Sequence, residues 1–290
     1  MKGLGHSVIP ERVGARSWAR HTPVRCLRAL DTHSIEIALR RALEREEFAL
    51  CYQPTIDLKT GLISGAEALL RWHHPIWGLI APSRFISIAE QSQLIVPIGE
   101  WVLGEACRQA ALFAAVGGWS GTMSVNVSSV QLRQHDFVRR VCGILGETGT
   151  NPARLQLELT ESVLMANTGA SATALQGLRS MGVQIALDDF GTGYSSLSYL
   201  EKFTVDCLKI DQSFIRQISE VGVKKTLVTA IITIGHTLGL RVVAEGVETE
   251  EQFNFVTQSG CDEGQGFYFS RPLSAQVFAQ RLSIATPAPE

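Results

Sequence analysis

Short apolar runs that each end in a polar or charged residue recur along this chain. They constrain its fold more than any other feature. Gly65-Ala66 leads to Glu67, Met123-Ser124-Val125 to Asn126, and Leu155-Gln156-Leu157 to Glu158. The run 183–187 ends in Asp188-Asp189, 205–208 in Lys209, and 241–244 in Glu245. Each run reads as a buried strand, and helix-like stretches follow most of them, which implies βαβ units and a parallel sheet. In a closed barrel the C-terminal ends of parallel strands converge on one spot. Several uncompensated carboxylates there repel each other unless cations sit between them. The pattern therefore implies a metal-dependent enzyme.

An amphipathic helix begins at Thr32, with Ile35, Leu39 and Leu43 on one face and Thr32 or Ser34 as its cap. Apolar runs over 48–56 and 62–70 flank Asp57-Leu58-Lys59-Thr60-Gly61, a hairpin-like turn, so the first two strands are expected antiparallel. Helices are expected near 83–91, 98–115, 135–148, 169–181, 195–201, 221–239, 249–258 and 274–284. Strands are expected near 122–127, 154–159, 183–188, 205–210, 241–245 and 262–269. With the hairpin this makes about eight strands, the number that closes a small barrel. The expected class is α/β, in one barrel over residues 31–284.

The chain has 290 residues, 45% of them hydrophobic, and a net charge of −2. Such a charge gives no signature of a DNA or RNA polymer as partner. Residues 1–30 differ, with Lys2, Arg12, Arg16, Arg20, Arg25 and Arg28 against Glu11 alone. They read as a basic linker or the remnant of an upstream region, and residues 285–290 as a disordered tail. No stretch approaches the ~18 apolar residues of a membrane span, and no apolar segment makes the N-terminus a secretory signal. The six cysteines form no CxxC pair and several lie in apolar runs, as reduced thiols of a cytoplasmic protein would.

Asp188-Asp189-Phe190-Gly191-Thr192-Gly193 is the sharpest segment. Adjacent side chains on a strand point to opposite faces, so both acids share a site only if the strand has ended and the backbone turns. Gly191 and Gly193 permit that turn. An N-capping loop with solvated acids is the other reading. Glu158 and Glu161 read as a strand-end acid and a residue one turn later that holds a neighbouring loop, or as an acid pair favoured by a helix dipole. Glu245 to Glu248 repeats the pattern. Lys209 among acids is either functional or a structural ion pair, and Asn126 is a neutral oxygen ligand or a turn residue. His73-His74 lies in an expected rigid loop and is a weak metal candidate.

Glu67-Ala68-Leu69-Leu70-Arg71-Trp72 carries the signature that resembles the EAL-domain family of cyclic-di-GMP phosphodiesterases. Tyr52-Gln53-Pro54, the Glu158–Ser162 and Asp188–Leu197 segments, Leu208-Lys209-Ile210-Asp211, Ala244–Thr249 and Gln265-Gly266-Phe267 extend the resemblance, in the family's order, across residues 33–284. It implies a modified TIM (β/α)8 barrel with one antiparallel strand near its start. It implies two divalent cations, Mg²⁺ or Mn²⁺, with Ca²⁺ inhibitory. Glu67, Asn126, Glu158 and Asp188 resemble the ligands of one ion, and Asp188 and Asp189, near Glu245, those of the second. Lys209 and Glu245 resemble the pair that positions and deprotonates the attacking water. Gln53, Arg71 and Gln265 resemble substrate contacts, and Glu161 and Glu248 loop anchors.

The implied reaction is two-metal hydrolysis of cyclic-di-GMP to linear 5′-pGpG in the bacterial cytoplasm. The rivals are a catalytically silent receptor and a hydrolase of another phosphodiester. The family also implies a homodimer whose interface involves the loop 190–197 with Tyr199-Leu200, and a sensory domain in a longer parent protein.

Overall fold

The computed structural model describes residues 31–161, 163, 169–191, 205–218 and 222–285. Strands β1 (Phe48–Asp57) and β2 (Ile63–His74) form the expected antiparallel hairpin, from Phe48 opposite Trp72 to Ile56 opposite Ile63. Asp57 Oδ1 makes its turn by accepting from the N–H groups of Lys59 and Thr60, with Gly61 at φ 71°. β3 (Gly78–Ile80) folds back on β2. Then come β4 (Thr122–Asn126), β5 (Leu155–Thr160), β6 (Gln184–Phe190), β7 (Cys207–Ile210), β8 (Arg241–Ala244) and β9 (Glu263–Gly264). From β2 through β4 to β9 every pairing is parallel, and β9 closes antiparallel onto β1. Among the described residues eight strands thus close a barrel, with β1 alone of these reversed and β3 an appendage of β2.

Outside the barrel lie α1 (Thr32–Ala42), α2 (Pro82–Gln91), α3 (Ile95–Gly117), α4 (Ser129–Leu132) and α5 (Phe137–Thr148). They are followed by α6 (Gly169–Ser180), α7 (Gln212–Arg216), α8 (Gly222–Thr237), α9 (Glu250–Gln258) and α10 (Ala275–Ala285). β5 shows how sequence sets the layers. Leu155, Leu157 and Leu159 are each 1% exposed and join the core, while Gln156 and Glu158 alternate with them and line the barrel interior. Among the described residues no helix is long and apolar enough to cross a membrane.

Some expectations change. Asp31 caps α1 by accepting from the Ser34 N–H at 2.7 Å; Thr32 and Ser34 lie inside the first turn. The strand expected over 262–269 shrinks to two residues. Gly266, at φ 157°, turns the backbone, and Tyr268 and Phe269 bond back to Val247 and Gly266. His73-His74 is strand, not loop. His74 Nδ1 accepts from the Trp77 N–H at 3.1 Å and its ring stacks on Trp77 at 3.9 Å, which makes it a hairpin residue. Cys107, Cys207 and Cys261 are buried free thiols, whereas Cys142 is exposed. The helix expected at 195–201 and the pair Tyr199-Leu200 lie outside the described residues.

Candidate active site

The parallel register brings the strand-end residues together. Asn126 sits opposite Glu158, and Thr160 opposite Asp188, so each neighbouring strand delivers its polar side chain to the same end of the barrel. Lys209, on β7 and 2% exposed, is the hub. Its Nζ lies 2.5 Å from Glu245 Oε1, 2.7 Å from Glu158 Oε2, 3.5 Å from Asp188 Oδ1 and 3.8 Å from Glu67 Oε2. Asn126 Nδ2 donates to Glu67 Oε1 at 2.6 Å. Glu67, Asn126, Glu158, Asp188, Lys209 and Glu245 therefore form one contiguous cluster.

Asp189 joins it by a route the sequence did not disclose. β6 has not ended at Asp188; it runs to Phe190. The register against β7 breaks between Leu187 and Phe190, and Asp189 itself adopts φ 56°. Left-handed backbone at a non-glycine residue is uncommon, and Asp tolerates it better than most. The Asp189 N–H donates to Asp188 Oδ1 at 3.0 Å. Ligand oxygens of Asp188, Asp189 and Glu245 then all lie within 4.8 Å of one another. Gly191 also has positive φ, at 96°, while Gly193 lies outside the described residues.

One ammonium cannot neutralise this many acids. Burial raises the Glu158 carboxyl well above its ordinary value; Lys209 pulls it down, but the other carboxylates add to the rise. Burial likewise pushes Glu245 up to about 8, and it raises Asp189, with Asp188 adding to the effect. Burial also penalises the Lys209 ammonium, yet the surrounding carboxylates hold it well above an ordinary lysine. Glu67 is buried too, but Lys209 and hydrogen bonds from Gln265 and Asn126 bring it below its ordinary value. Carboxyls forced toward protonation mark uncompensated negative charge. Several hard oxygen donors with that excess fit hard divalent cations.

Beside the cluster opens a cleft of about 210 Å³ lined by Gln53, Glu67, Arg216, Glu245, Gln265 and Phe267 among others. Gln265 Nε2 donates to Glu67 Oε2 at 2.7 Å and to Gln53 Oε1 at 3.3 Å, and Gln53 Nε2 donates to the Ser270 carbonyl. Arg71 lies four residues beyond Glu67 on β2, about 13 Å farther along an extended strand. It donates to the Leu70 carbonyl and stays outside the cluster. Glu161 is half-buried just after β5, and most of the loop it was expected to hold lies outside the described residues. Glu248 pairs with Arg216 at 3.0 Å, tying the turn after β8 to α7. Sequence reading missed Arg216 and gave Phe267 no role in the cleft wall. Their signal was position, seven residues beyond Lys209 at the end of α7 and directly beyond Gln265-Gly266.

The sequence pattern of the EAL domain matches residues 36–272. The chain is 46% identical over 238 residues to the bifunctional diguanylate cyclase/cyclic di-GMP phosphodiesterase MucR of Pseudomonas aeruginosa, covering 82% of this chain and 35% of that protein. It is 40% identical over 257 residues to the cyclic di-GMP phosphodiesterase PdeR of Escherichia coli, covering 89% of this chain and 39% of PdeR. Among solved structures, the PaMucR phosphodiesterase in complex with c-di-GMP superposes with a TM-score of 0.81 at 45% identity, over 84% of this chain and 99% of that one. The chain thus spans little more than a third of the length of these full-length relatives.

Proposed function

The chain belongs to the EAL domain family, and from that premise we propose that it hydrolyses cyclic-di-GMP to linear 5′-pGpG. The observation that carries this reading is the buried cluster in which Lys209 faces Glu67, Glu158, Asp188 and Glu245 at the C-terminal mouth of the barrel. Glu67, Asn126, Glu158 and Asp188 would hold one divalent cation. Asp188 and Asp189, beside Glu245, would hold the second. Asn126 would present its amide oxygen, which a half-turn of the group exchanges with the nitrogen now facing Glu67. Bound ions of this class lower the pKa of a water and neutralise charge on a phosphoryl group.

The chain's own residues do the rest. Glu245 Oε1 accepts the proton of the attacking water, and Lys209 Nζ orients that carboxylate while adding positive charge where the transition state is most negative. The water oxygen bonds to phosphorus as the P–O3′ bond breaks, and the departing 3′-oxygen takes a proton from solvent, leaving a 5′-phosphate and a free 3′-hydroxyl. Gln53 and Gln265 line the cleft that receives the substrate. Arg71 takes the other phosphate as a charge-assisted donor. Glu161 and Glu248 anchor loops around the mouth.

Incubation with cyclic-di-GMP and Mg²⁺ or Mn²⁺, with products read by chromatography, tests the reading. Linear 5′-pGpG that disappears with EDTA, and with Ca²⁺ in place of Mg²⁺, supports it. Tight binding without product favours the silent receptor, and turnover of other phosphodiesters alone favours the rival hydrolase. We further propose a cytoplasmic setting within a longer, sensor-bearing parent protein, and a homodimer coupled to the loop 190–197. A strictly monomeric, fully active protein at high micromolar concentration removes the dimer.

A further inference from the structure

The short helix α7 begins three residues after Lys209 and touches the chain just beyond both outer acids, Asp189 and Glu245. Gln212 packs against Gly246, directly after Glu245; a Cβ there would meet Gln212 Cβ at 2.4 Å. Phe214 packs against Gly191, two residues after Asp189. A Cβ at Gly191 would sit 2.7 Å from Phe214 Cε2 and 2.8 Å from Cζ, and Gly191 holds φ 96°. The ring is itself held. It packs against the core, Lys224 Nζ of α8 stands 4.8 Å from its centroid, and Asp211 caps α7 by accepting from the Ser213 N–H at 3.0 Å.

Asp189 is where such support matters. Its φ of 56° costs energy that neighbouring structure must supply, and its own local bond, to Asp188 Oδ1, also engages a site carboxylate. We propose that Phe214 is a positioning residue: its ring seats the backbone at Gly191 and thereby fixes the Asp189 carboxylate beside Asp188 and Glu245. The edge of the ring occupies the space that any side chain at 191 would need, so the backbone at Gly191 has one seat beside α7. The proposal rests on the two-cation reading above, since it assigns Phe214 to the geometry of the second ion's donors.

The test is Mn²⁺ binding, followed by electron paramagnetic resonance, on wild type, Phe214→Ala, Phe214→Tyr, Gly191→Ala and the Phe214→Ala/Gly191→Ala double variant. Phe214→Ala weakens the weaker of two Mn²⁺ steps about tenfold and leaves the tighter step within about twofold, the scale of a lost supporting contact at a metal site. Phe214→Tyr, which keeps the ring, retains wild-type affinity. Gly191→Ala weakens the same step, and the double variant binds no worse than Gly191→Ala alone, because the clash has gone with the ring. In turnover, kcat falls and KM holds. A folded Phe214→Ala protein with both Mn²⁺ steps unchanged overturns the proposal, as do losses that simply add in the double variant. If Phe214→Ala fails to fold, Phe214→Leu is held to the same criteria. A wild type that binds fewer than two Mn²⁺ ions overturns the two-cation reading instead. The seat is then judged by melting temperatures in EDTA, where non-additive losses sustain it and additive losses overturn it.

Discussion

The two ends of the barrel axis both carry charge, and they resolve it differently. At the N-terminal end Arg241 Nη2 donates to Gln156 Oε1 at 2.7 Å and to Gln184 Oε1 at 3.1 Å, and its Nε lies 3.3 Å from Glu263 Oε2. Gln156 in turn donates to Ser124 Oγ at 2.9 Å. Arg241 faces Glu263, Asp206 nearby is paired with Arg179 at 3.2 Å, and neutral groups take further donors. At the C-terminal end Lys209, alone among the described residues, faces Glu67, Glu158, Asp188 and Glu245, with Asp189 adjoining. A cavity of about 10 Å³, room for about one water, is lined by groups of both ends, including Arg241 and Lys209. Barrels of this type are commonly filled by branched apolar side chains. Here the floor is polar but balanced from within the protein, whereas the mouth keeps, among the described residues, an excess of acid that bound cations would balance. A balanced network contributes stability; an unbalanced one costs stability and gains a ligand.

Substitution at each end separates these roles. Glu67→Ala is expected to lower kcat by about 10³-fold or more, since cation ligation supplies several kcal/mol of transition-state stabilisation. Its circular dichroism and cooperative melting should persist, because strand ends at the mouth serve function more than folding. A Glu67→Ala enzyme of near-native activity would remove Glu67 from the ligand set. The converse holds at the floor. Arg241→Ala leaves Glu263 and Gln156 short of a partner, at a cost of about 2 kcal/mol once its partial exposure is considered. That lowers Tm by about 4–8 °C for a domain of this size. The kcat of the folded protein should stay near wild type. A floor variant that melts normally yet loses turnover would end the division of labour.

The mouth was more legible in the sequence than the floor, for a physical reason. An acid that ends an apolar run stands out, so Glu67, Glu158, Asp188 and Glu245 could be read directly, as could the βα alternation that gathers them. Gln156, Gln184 and Arg241 sit inside or beside apolar runs and differ from their neighbours only in facing the barrel axis. That facing depends on strand register, which pairing partners set. Asp189 lay between these cases. Its identity was visible, but its left-handed backbone comes from a break in register against β7 and from Gly191 meeting Phe214. β9 was overestimated because a strand's length depends on its neighbours, and Gly266 turns the chain where apolar residues continue.

The same contrast predicts how stability follows pH when no divalent ion is bound. Burial pushes Glu245 from its ordinary 4.5 up to about 8, and Glu158 moves the same way. Between those values the folded protein holds more protons than the unfolded chain, so stability falls as pH rises through the window and levels off above it. Lys209, raised well above an ordinary lysine, stabilises the fold until strongly alkaline pH, and Glu67, lowered, acts below pH 4.5. Burial lowers His73 and His74 from their ordinary 6.5, which opposes the slope only below that pH. In EDTA, Tm should therefore drop by a few degrees from about pH 6.5 to pH 8. Excess Mn²⁺ favours the charged carboxylates and should flatten or reverse that drop, with its largest gain near pH 8. A metal-free Tm that climbs across this range would mean that the mouth is not over-charged.

The smallest expected effect lies in the rate. Turnover should rise from about pH 7 toward pH 9, as a water held between two cations ionises near or somewhat above neutrality. Lys209 is the competing source of such a limb. Its four carboxylate neighbours, two of them within 2.7 Å, hold the ammonium charged well beyond this range, and Glu245, raised to about 8 by burial without ions, would be held ionised by cations beside it, so the limb is assigned to the water. Lys209→Arg decides between them, because a guanidinium does not titrate here. Its planar fork fits the pocket less well, and lower activity is expected, but with the same rising limb. That limb should also move between Mg²⁺ and Mn²⁺, whose bound waters differ in acidity. If the limb disappears in Lys209→Arg while turnover persists, the titrating group was the ammonium. The excess acid at the mouth would then be answered by the lysine rather than by ions, and the contrast between the two ends of the barrel would be one of degree.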